Sequence, residues 1–265
     1  MSTVIYPSPI FGPVKSRRLG ISLGINLLPK DGKFCSFDCI YCECGLNAER
    51  RTKTPLPTRQ EVAEALERQL QRMKQEGQLP DVLTFAGNGE PTLHPAFPEI
   101  VDDVKQLRDR YCPEARISVL CNSTQIHRKP VREALLRTDN PIMKLDTVDT
   151  DFIHRVDQPQ GNYEVENIIQ HLASMSPKVI IQTMFLTSSP NAKNTYYIKE
   201  GIDNTADAYV TPWIEALKKI RPRLVMIYTI DRETPVSGLE KARPEVLDGI
   251  AERVRQAGFE CSVSY

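Results

Sequence analysis

The sequence predicts an α/β fold in which about six β-α units surround a mostly parallel sheet, forming an open, partial (β/α)6 TIM-like barrel. Strand-length apolar runs alternate with segments of helical periodicity from residue 20 onward. Segments that follow strands are long and polar, whereas those leading into the next strand are short. That asymmetry places functional groups at the carboxyl ends of the strands. No internal repeat or low-complexity linker interrupts the series, so the expectation is one domain over residues 1–265, with 1–19 as an N-terminal extension and 20–265 as the partial barrel.

Strands are expected at 20–28, 81–86, 116–121, 142–146, 179–186 and 224–230, each an apolar run rich in Val, Ile, Leu or Met, with a last short strand at 260–264. Helices are expected at 59–75, 97–110, 130–137, 163–174, 206–219 and 244–256. Thr58 followed by Glu61 is a capping-box pattern for the first of these. Pro244 at the start and Gly258 past the end bracket the last.

Composition excludes several classes. Hydrophobic residues make up 40% and charged residues 26% of 265, enough for a substantial core. Lys+Arg and Asp+Glu balance at 34 each, with a pI near 6.9, so global charge carries no footprint of nonspecific nucleic-acid binding. The first residues lack the basic-then-apolar pattern of a signal peptide, and no apolar run reaches membrane-spanning length. The expected location is therefore cytoplasmic, with no membrane partner. Four of the seven cysteines crowd between positions 35 and 44, which suits metal binding in a reducing compartment better than a disulfide framework. Cys112, Cys121 and Cys261 are dispersed and read as buried small hydrophobes.

The chemistry-bearing stretch is Cys35-Ser36-Phe37-Asp38-Cys39-Ile40-Tyr41-Cys42. Three thiolates at this spacing can hold three irons of a [4Fe-4S] cubane and leave the fourth open to a small molecule. Cys44 offers two rival readings: a four-thiolate zinc site, or a closed electron-transfer cluster. Zinc sites present two separated Cys-x2-Cys knuckles, which one compact loop does not match.

Ala86-Gly87-Asn88-Gly89-Glu90-Pro91-Thr92 follows the second expected strand, and its glycines permit a sharp turn and close approach to a ligand. Cys121-Asn122-Ser123-Thr124 ends the third strand with groups able to hydrogen-bond a ribose or carboxylate. Lys144 with Asp146, and Gln182 with Thr183, end the next two. The four histidines have no metal-ligand spacing and read as surface or capping residues. Arg17-Arg18 offer a contact for phosphate or carboxylate, and Asp231-Arg232-Glu233 an ion-pair cluster. Residues 187–204 exceed ordinary loop length and are read either as a substrate-covering lid or as a merely variable surface loop.

With an aromatic residue, Tyr41, before the third cysteine, the loop resembles the signature of the radical S-adenosylmethionine (SAM) superfamily. The resemblance implies a partial barrel of the radical SAM type, with Cys35, Cys39 and Cys42 ligating iron and Tyr41 packing near adenine. It further implies that Gly87, Asn88, Gly89 and Glu90 bind the methionyl part of SAM, with Asn122, Ser123, Asp146 and Gln182 as further contacts. SAM would chelate the open iron, and an electron from an external flavodoxin- or ferredoxin-type donor would release a 5′-deoxyadenosyl radical that abstracts hydrogen from a substrate. Phe11 to Gly20, Ser22 to Asn26 and Ile227 to Arg232 resemble iron–sulfur oxidoreductases related to wyosine-synthesising tRNA enzymes. Those enzymes are expected to carry a second cluster on upstream cysteines, and no cysteine stands before Cys35 in this sequence, so wyosine ring formation is not expected. The substrate class stays open between small molecule, tRNA and protein. Glycyl-radical activases share the cysteine spacing and remain an alternative.

Overall fold

The structure, a computed structural model, describes residues 3–16, 20–192, 196–198 and 201–265. Arg17 and Arg18, the expected anion contacts, lie outside the described residues. The chain divides into two compact units: Ile5–Ser36 with Asn47–Ile142, and Met1–Val4 with Phe37–Leu46 and Met143–Tyr265.

The first unit carries β1 (Ile10–Ser16), β2 (Gly20–Ile25), α1 (Arg59–Gln75), β3 (Val82–Phe85), α2 (Phe97–Tyr111), β4 (Arg116–Cys121) and α3 (Lys129–Arg137). Strands β2, β3 and β4 are parallel, in register Ser22↔Val82 and Val82↔Arg116. All four residues of β3 are buried, as a strand covered on both faces requires. Helix α1 forms where Thr58 and Glu61 cap each other reciprocally, satisfying two backbone N–H groups at the start of the helix. Its Val62, Leu66, Leu70 and Met73 recur at helical spacing and are buried. Burial of each stabilises by roughly 1.5–3 kcal/mol.

Strand β1 was not among the expected elements, because Gly12-Pro13 argues against a strand. It pairs antiparallel with β2 at the sheet edge, where proline costs no ladder hydrogen bond, and its register shifts between Phe11 and Val14. Asn26, just past β2, is wholly buried. Its Nδ2 donates to the carbonyls of Tyr6 and Pro7, and its Oδ1 accepts from the N–H of Leu28 and of Asn88.

Strand β5 (Asn140–Lys144) begins in the first unit and ends in the second, two residues earlier than expected. The second unit continues with α4 (Thr150–Val156), α5 (Val165–Ser174), β6 (Ile180–Met184), β7 (Leu186–Ser188), α6 (Asp207–Ile220), β8 (Leu224–Tyr228), β9 (Leu239–Lys241), α7 (Pro244–Gln256) and β10 (Cys261–Ser264). Strand β8 lies parallel between β6 and β10. In the first unit the strands lie in the order β1-β2-β3-β4, and in the second in the order β6-β8-β10.

The single strand expected at 179–186 is two. The chain leaves the main sheet after Met184 and resumes as β7, which pairs with β9 in a separate two-stranded ribbon. Helix α4, also not expected, is capped by the Asp149 carboxylate on the N–H of Phe152. The described part of the long segment 187–204 is anchored at several points. Thr187 bridges Asp203, Ser188 Oγ accepts from the N–H of Ile202, and Ile198 is wholly buried in a core with Phe152, Leu186 and Ile202. Tyr196, by contrast, is 79% exposed and meets Tyr197 edge-on at 5.1 Å.

Candidate functional site

Each unit contributes its own share of the candidate residues, and the cysteine loop runs from one into the other, Cys35 and Ser36 in the first and Cys39, Tyr41 and Cys42 in the second. Cys35, Cys39 and Cys42 are partly exposed, while Cys44 is buried at 3% exposure. The loop has no helix or strand of its own, so its course is set by hydrogen bonds to neighbouring elements. Among the described residues no three His, Cys, Asp or Glu side chains stand together as a ready metal cage.

In the first unit the segment after β3 grips the start of this loop. The N–H of Phe34 donates to the carbonyl of Asn88 at 2.9 Å, and the N–H of Glu90 to the carbonyl of Phe34 at 3.2 Å. Gly89, at φ +133°, makes that approach possible: a Cβ there would stand 2.0 Å from the Phe34 carbonyl oxygen. The glycine therefore has a local cause, the passage of the cysteine loop against it. Gly87, at φ +125°, likewise lies against Asn26, whose Oδ1 would be 2.7 Å from an added Cβ.

The polar side chains of this unit are engaged within the protein. Asn88 is wholly buried; its Nδ2 donates to the carbonyls of Tyr6 and Pro29, and its Oδ1 accepts from the N–H of Tyr6. Glu90 Oε2 accepts from the N–H of Asn122 at 2.6 Å, and Oε1 from the N–H of Thr92 at 3.0 Å and from the Thr92 hydroxyl. Burial pushes the Glu90 carboxyl above its ordinary range, against the pull of these donors. Glu90 thus ties the end of β3 to the end of β4. Ser123 is wholly buried at φ +71°, with its N–H on Cys121 Sγ at 3.3 Å. Asn122 Nδ2 faces Ser36 Oγ at 3.0 Å and Cys35 Sγ at 3.6 Å.

In the second unit the rest of the loop is held by the end of α4. The N–H of Ile40 donates to the carbonyl of Val156, and the N–H of Asp38 to that of Asp157. Behind it lies a buried ionic group. Lys144 Nζ contacts Asp146 Oδ2 and lies 3.1 Å from Asp157 Oδ1. Nζ also meets the Tyr41 hydroxyl and stands 4.7 Å from the Tyr41 ring centre. The Tyr41 hydroxyl donates to Asp146, whose Oδ1 accepts from the N–H of Met184 at 2.9 Å.

Burial opposes the Lys144 charge, yet Asp146 and Asp157 outweigh it and hold the ammonium well above its usual range. Burial pushes the Asp157 carboxyl up to about 7, against the pull of Lys144. Asp157 carried no signal in the sequence; it follows α4, an element the sequence did not reveal. Gln182 is buried on β6, its carbonyl accepting from the N–H of Leu145.

The chain belongs to the Radical SAM superfamily, whose family model matches residues 30–191. A UPF0026 protein of Methanocaldococcus jannaschii is 30% identical over 91% of this chain and 69% of its own length. A UPF0026 protein of Helicobacter pylori is also 30% identical, over 90% of this chain and 71% of its own. A protein of Brachyspira hyodysenteriae named GTPase Obg is 29% identical over 85% of this chain, which spans only 30% of that protein. The P-loop pattern Gly-x4-Gly-Lys-Ser/Thr occurs nowhere in the present sequence.

Among solved structures, a radical SAM methyltransferase from Sphaerobacter thermophilus matches with a TM-score of 0.66 at 16% identity, covering 92% of this chain and 66% of that one. Streptococcus suis SuiB bound to S-adenosylmethionine matches at 0.56 and 15% identity, covering 91% of this chain and 46% of that one. The fold class is therefore α/β, the partial (β/α)6 barrel of the radical SAM type, as the alternating pattern predicts. No helix among the described residues is long and apolar enough to cross a membrane.

Proposed function

We propose that this chain is a radical SAM enzyme that binds one [4Fe-4S] cluster on Cys35, Cys39 and Cys42 and cleaves SAM reductively. One observation carries the reading: three thiols of the loop are partly exposed, while Cys44, the only other cysteine near them in sequence, is withdrawn into the core. That donor set fits a cubane with one open iron, and it argues against the closed four-thiolate carrier and the zinc tetrahedron, both of which need Cys44. When bound, the cluster would pass one electron to SAM, giving methionine and a 5′-deoxyadenosyl radical that takes hydrogen from a substrate.

The chain's own residues orient and shield. The hydrogen bonds of the Gly87 to Glu90 segment, and those of Val156 and Asp157, hold the loop's two sides. Tyr41, Gly87 to Glu90, Ser123, Asp146 and Gln182 are assigned to the surroundings of SAM, those with committed side chains acting through the backbone they fix. The electron comes from an external flavodoxin- or ferredoxin-type donor. The substrate is a small molecule, a tRNA or a protein, and the outcome is that of an oxidoreductase or a transferase.

The test is anaerobic reconstitution followed by reduction with dithionite and SAM. Release of 5′-deoxyadenosine is expected from the unaltered chain and from Cys44→Ala, and from none of Cys35→Ala, Cys39→Ala and Cys42→Ala. Loss of the cluster in Cys44→Ala to the same extent as in the other three would overturn the open-iron reading in favour of the carrier.

A further inference from the structure

We propose that Asn122 is a positioning residue for the cluster, its amide N–H holding the Cys35 sulfur, and that it is not a ligand of SAM. The proposal rests on the reading of Cys35 as an iron ligand. The orientation of the amide follows from its neighbours. The N–H of Thr124 reaches the Asn122 side chain at 3.1 Å and the Thr124 hydroxyl reaches it at 2.8 Å, and a backbone N–H can only donate, so the atom facing it is Oδ1. The opposite atom is then Nδ2, which has two hydrogens and two acceptors in reach: Ser36 Oγ at 3.0 Å and Cys35 Sγ at 3.6 Å. All four hydrogen-bonding positions of the amide are thus committed within the protein.

The frame behind this amide is rigid. The backbone N–H of Asn122 is held by buried Glu90 at 2.6 Å, Ser123 beyond it is wholly buried, and Ser36 Oγ is in turn 2.6 Å from Thr124 Oγ1. Asn122 itself is 8% exposed. A donor fixed this firmly beside a cysteine sulfur stabilises the negative charge that a thiolate-ligated cluster gains on reduction, and hydrogen bonds to the sulfurs are one of the levers on cluster potential. Asn122 therefore sets where Cys35 stands and how readily the cluster accepts its electron.

The experiment compares the reconstituted unaltered chain with Asn122→Asp and Asn122→Leu. Asp keeps the acceptor for Thr124 and removes the N–H; Leu removes the donor without adding charge. The readouts are iron per chain, the reduced fraction of the cluster by EPR in a redox titration without SAM, and the SAM KM against kcat for 5′-deoxyadenosine release. For Asn122→Asp the ratio of reduced to oxidised cluster at a fixed potential near the midpoint should fall about tenfold, which for one electron is about 59 mV, while the KM for SAM stays within about twofold. For Asn122→Leu the fall should be about threefold. A chain that keeps its circular dichroism and melting profile but no longer retains iron also supports the role.

An unchanged potential with SAM binding weakened more than about tenfold would overturn the proposal and return Asn122 to the SAM site. Unfolding of both variants would overturn it as well, making the residue a structural turn. Failure of the unaltered chain to take up iron would instead overturn the functional reading on which the proposal rests.

Discussion

Lys144 Nζ stands 3.1 Å from Asp157 Oδ1, and both side chains are almost wholly buried, with Asp146 on the same ammonium. A buried cation between two carboxylates is retained because each partner offsets the other's desolvation, and removing one strands the rest. Lys144→Met should therefore cost about 3–5 kcal/mol of stability in the metal-free chain, read from the urea midpoint. Asp157→Asn should cost less, since burial already drives that carboxyl toward its neutral form. Equal losses would contradict the reading that burial drives the Asp157 carboxyl toward its neutral form.

Gly89→Ala tests the grip on the cysteine loop. The added Cβ meets a backbone oxygen that cannot swing away, at a φ that side-chain-bearing residues avoid. A loss of about 3 kcal/mol is expected, together with poor iron retention, because Phe34 must shift and Cys35 follows it. Gly161→Ala, with nothing within 4 Å, is the control and should leave both readouts unchanged. Full iron retention in Gly89→Ala would show that the loop is positioned by something other than this contact.

Glu90→Gln tests the tie between β3 and β4. The two carboxylate oxygens face the N–H groups of Thr92 and Asn122, so an amide must turn its own NH2 toward one of them. One buried donor then lacks an acceptor, at a cost of about 1–3 kcal/mol measured by thermal or urea unfolding. A neutral or stabilising result would mean that the carboxyl is held protonated there and that its proton already serves another partner.

Burial pushes the Cys112 thiol up to about 11, above the ordinary value near 9 that the unfolded chain retains. The folded state thus keeps a proton that the unfolded state releases across this interval. The stability contributed by Cys112 is complete below pH 9 and is lost as pH rises through about 11. The expected difference is roughly 1–2 kcal/mol between pH 8 and pH 11. It should be reduced in Cys112→Ala when the two chains are compared at each pH. Identical alkaline slopes would remove Cys112 from the linkage.

After reconstitution the 265-residue chain should hold about four irons and four sulfides, as one cubane requires. Cys112 and Cys121 are buried, and Cys261 is partly exposed on β10, so no second set of clustered thiols is offered. Near twice that iron, or formation of the tricyclic wyosine base from methylated precursor tRNA, SAM and pyruvate, would move the substrate to tRNA.

What the amino-acid order determined by itself was local. The 3.6-residue recurrence of Val62, Leu66, Leu70 and Met73 and the reciprocal pair Thr58 and Glu61 define α1 without reference to any other element. The apolar run 116–121 defines β4 in the same way. The spacing of Cys35, Cys39 and Cys42 with Tyr41 likewise carried the family, because a signature confined to one short loop is legible without any other element. Tertiary structure decided whatever depends on residues distant along the chain. Strand β1 exists because β2 offers it an edge, although Gly12-Pro13 reads as a turn. Gly89 is required by Phe34, whose carbonyl oxygen would stand 2.0 Å from an added Cβ, a contact between residues 55 positions apart that no local pattern announces. Asn122 meets Cys35 across 87 positions, and Tyr41 meets Asp146 across 105. Periodicity carries no information about such pairs, since it reports which face of an element is buried and not which side chain will stand opposite once strand order and register bring the elements together.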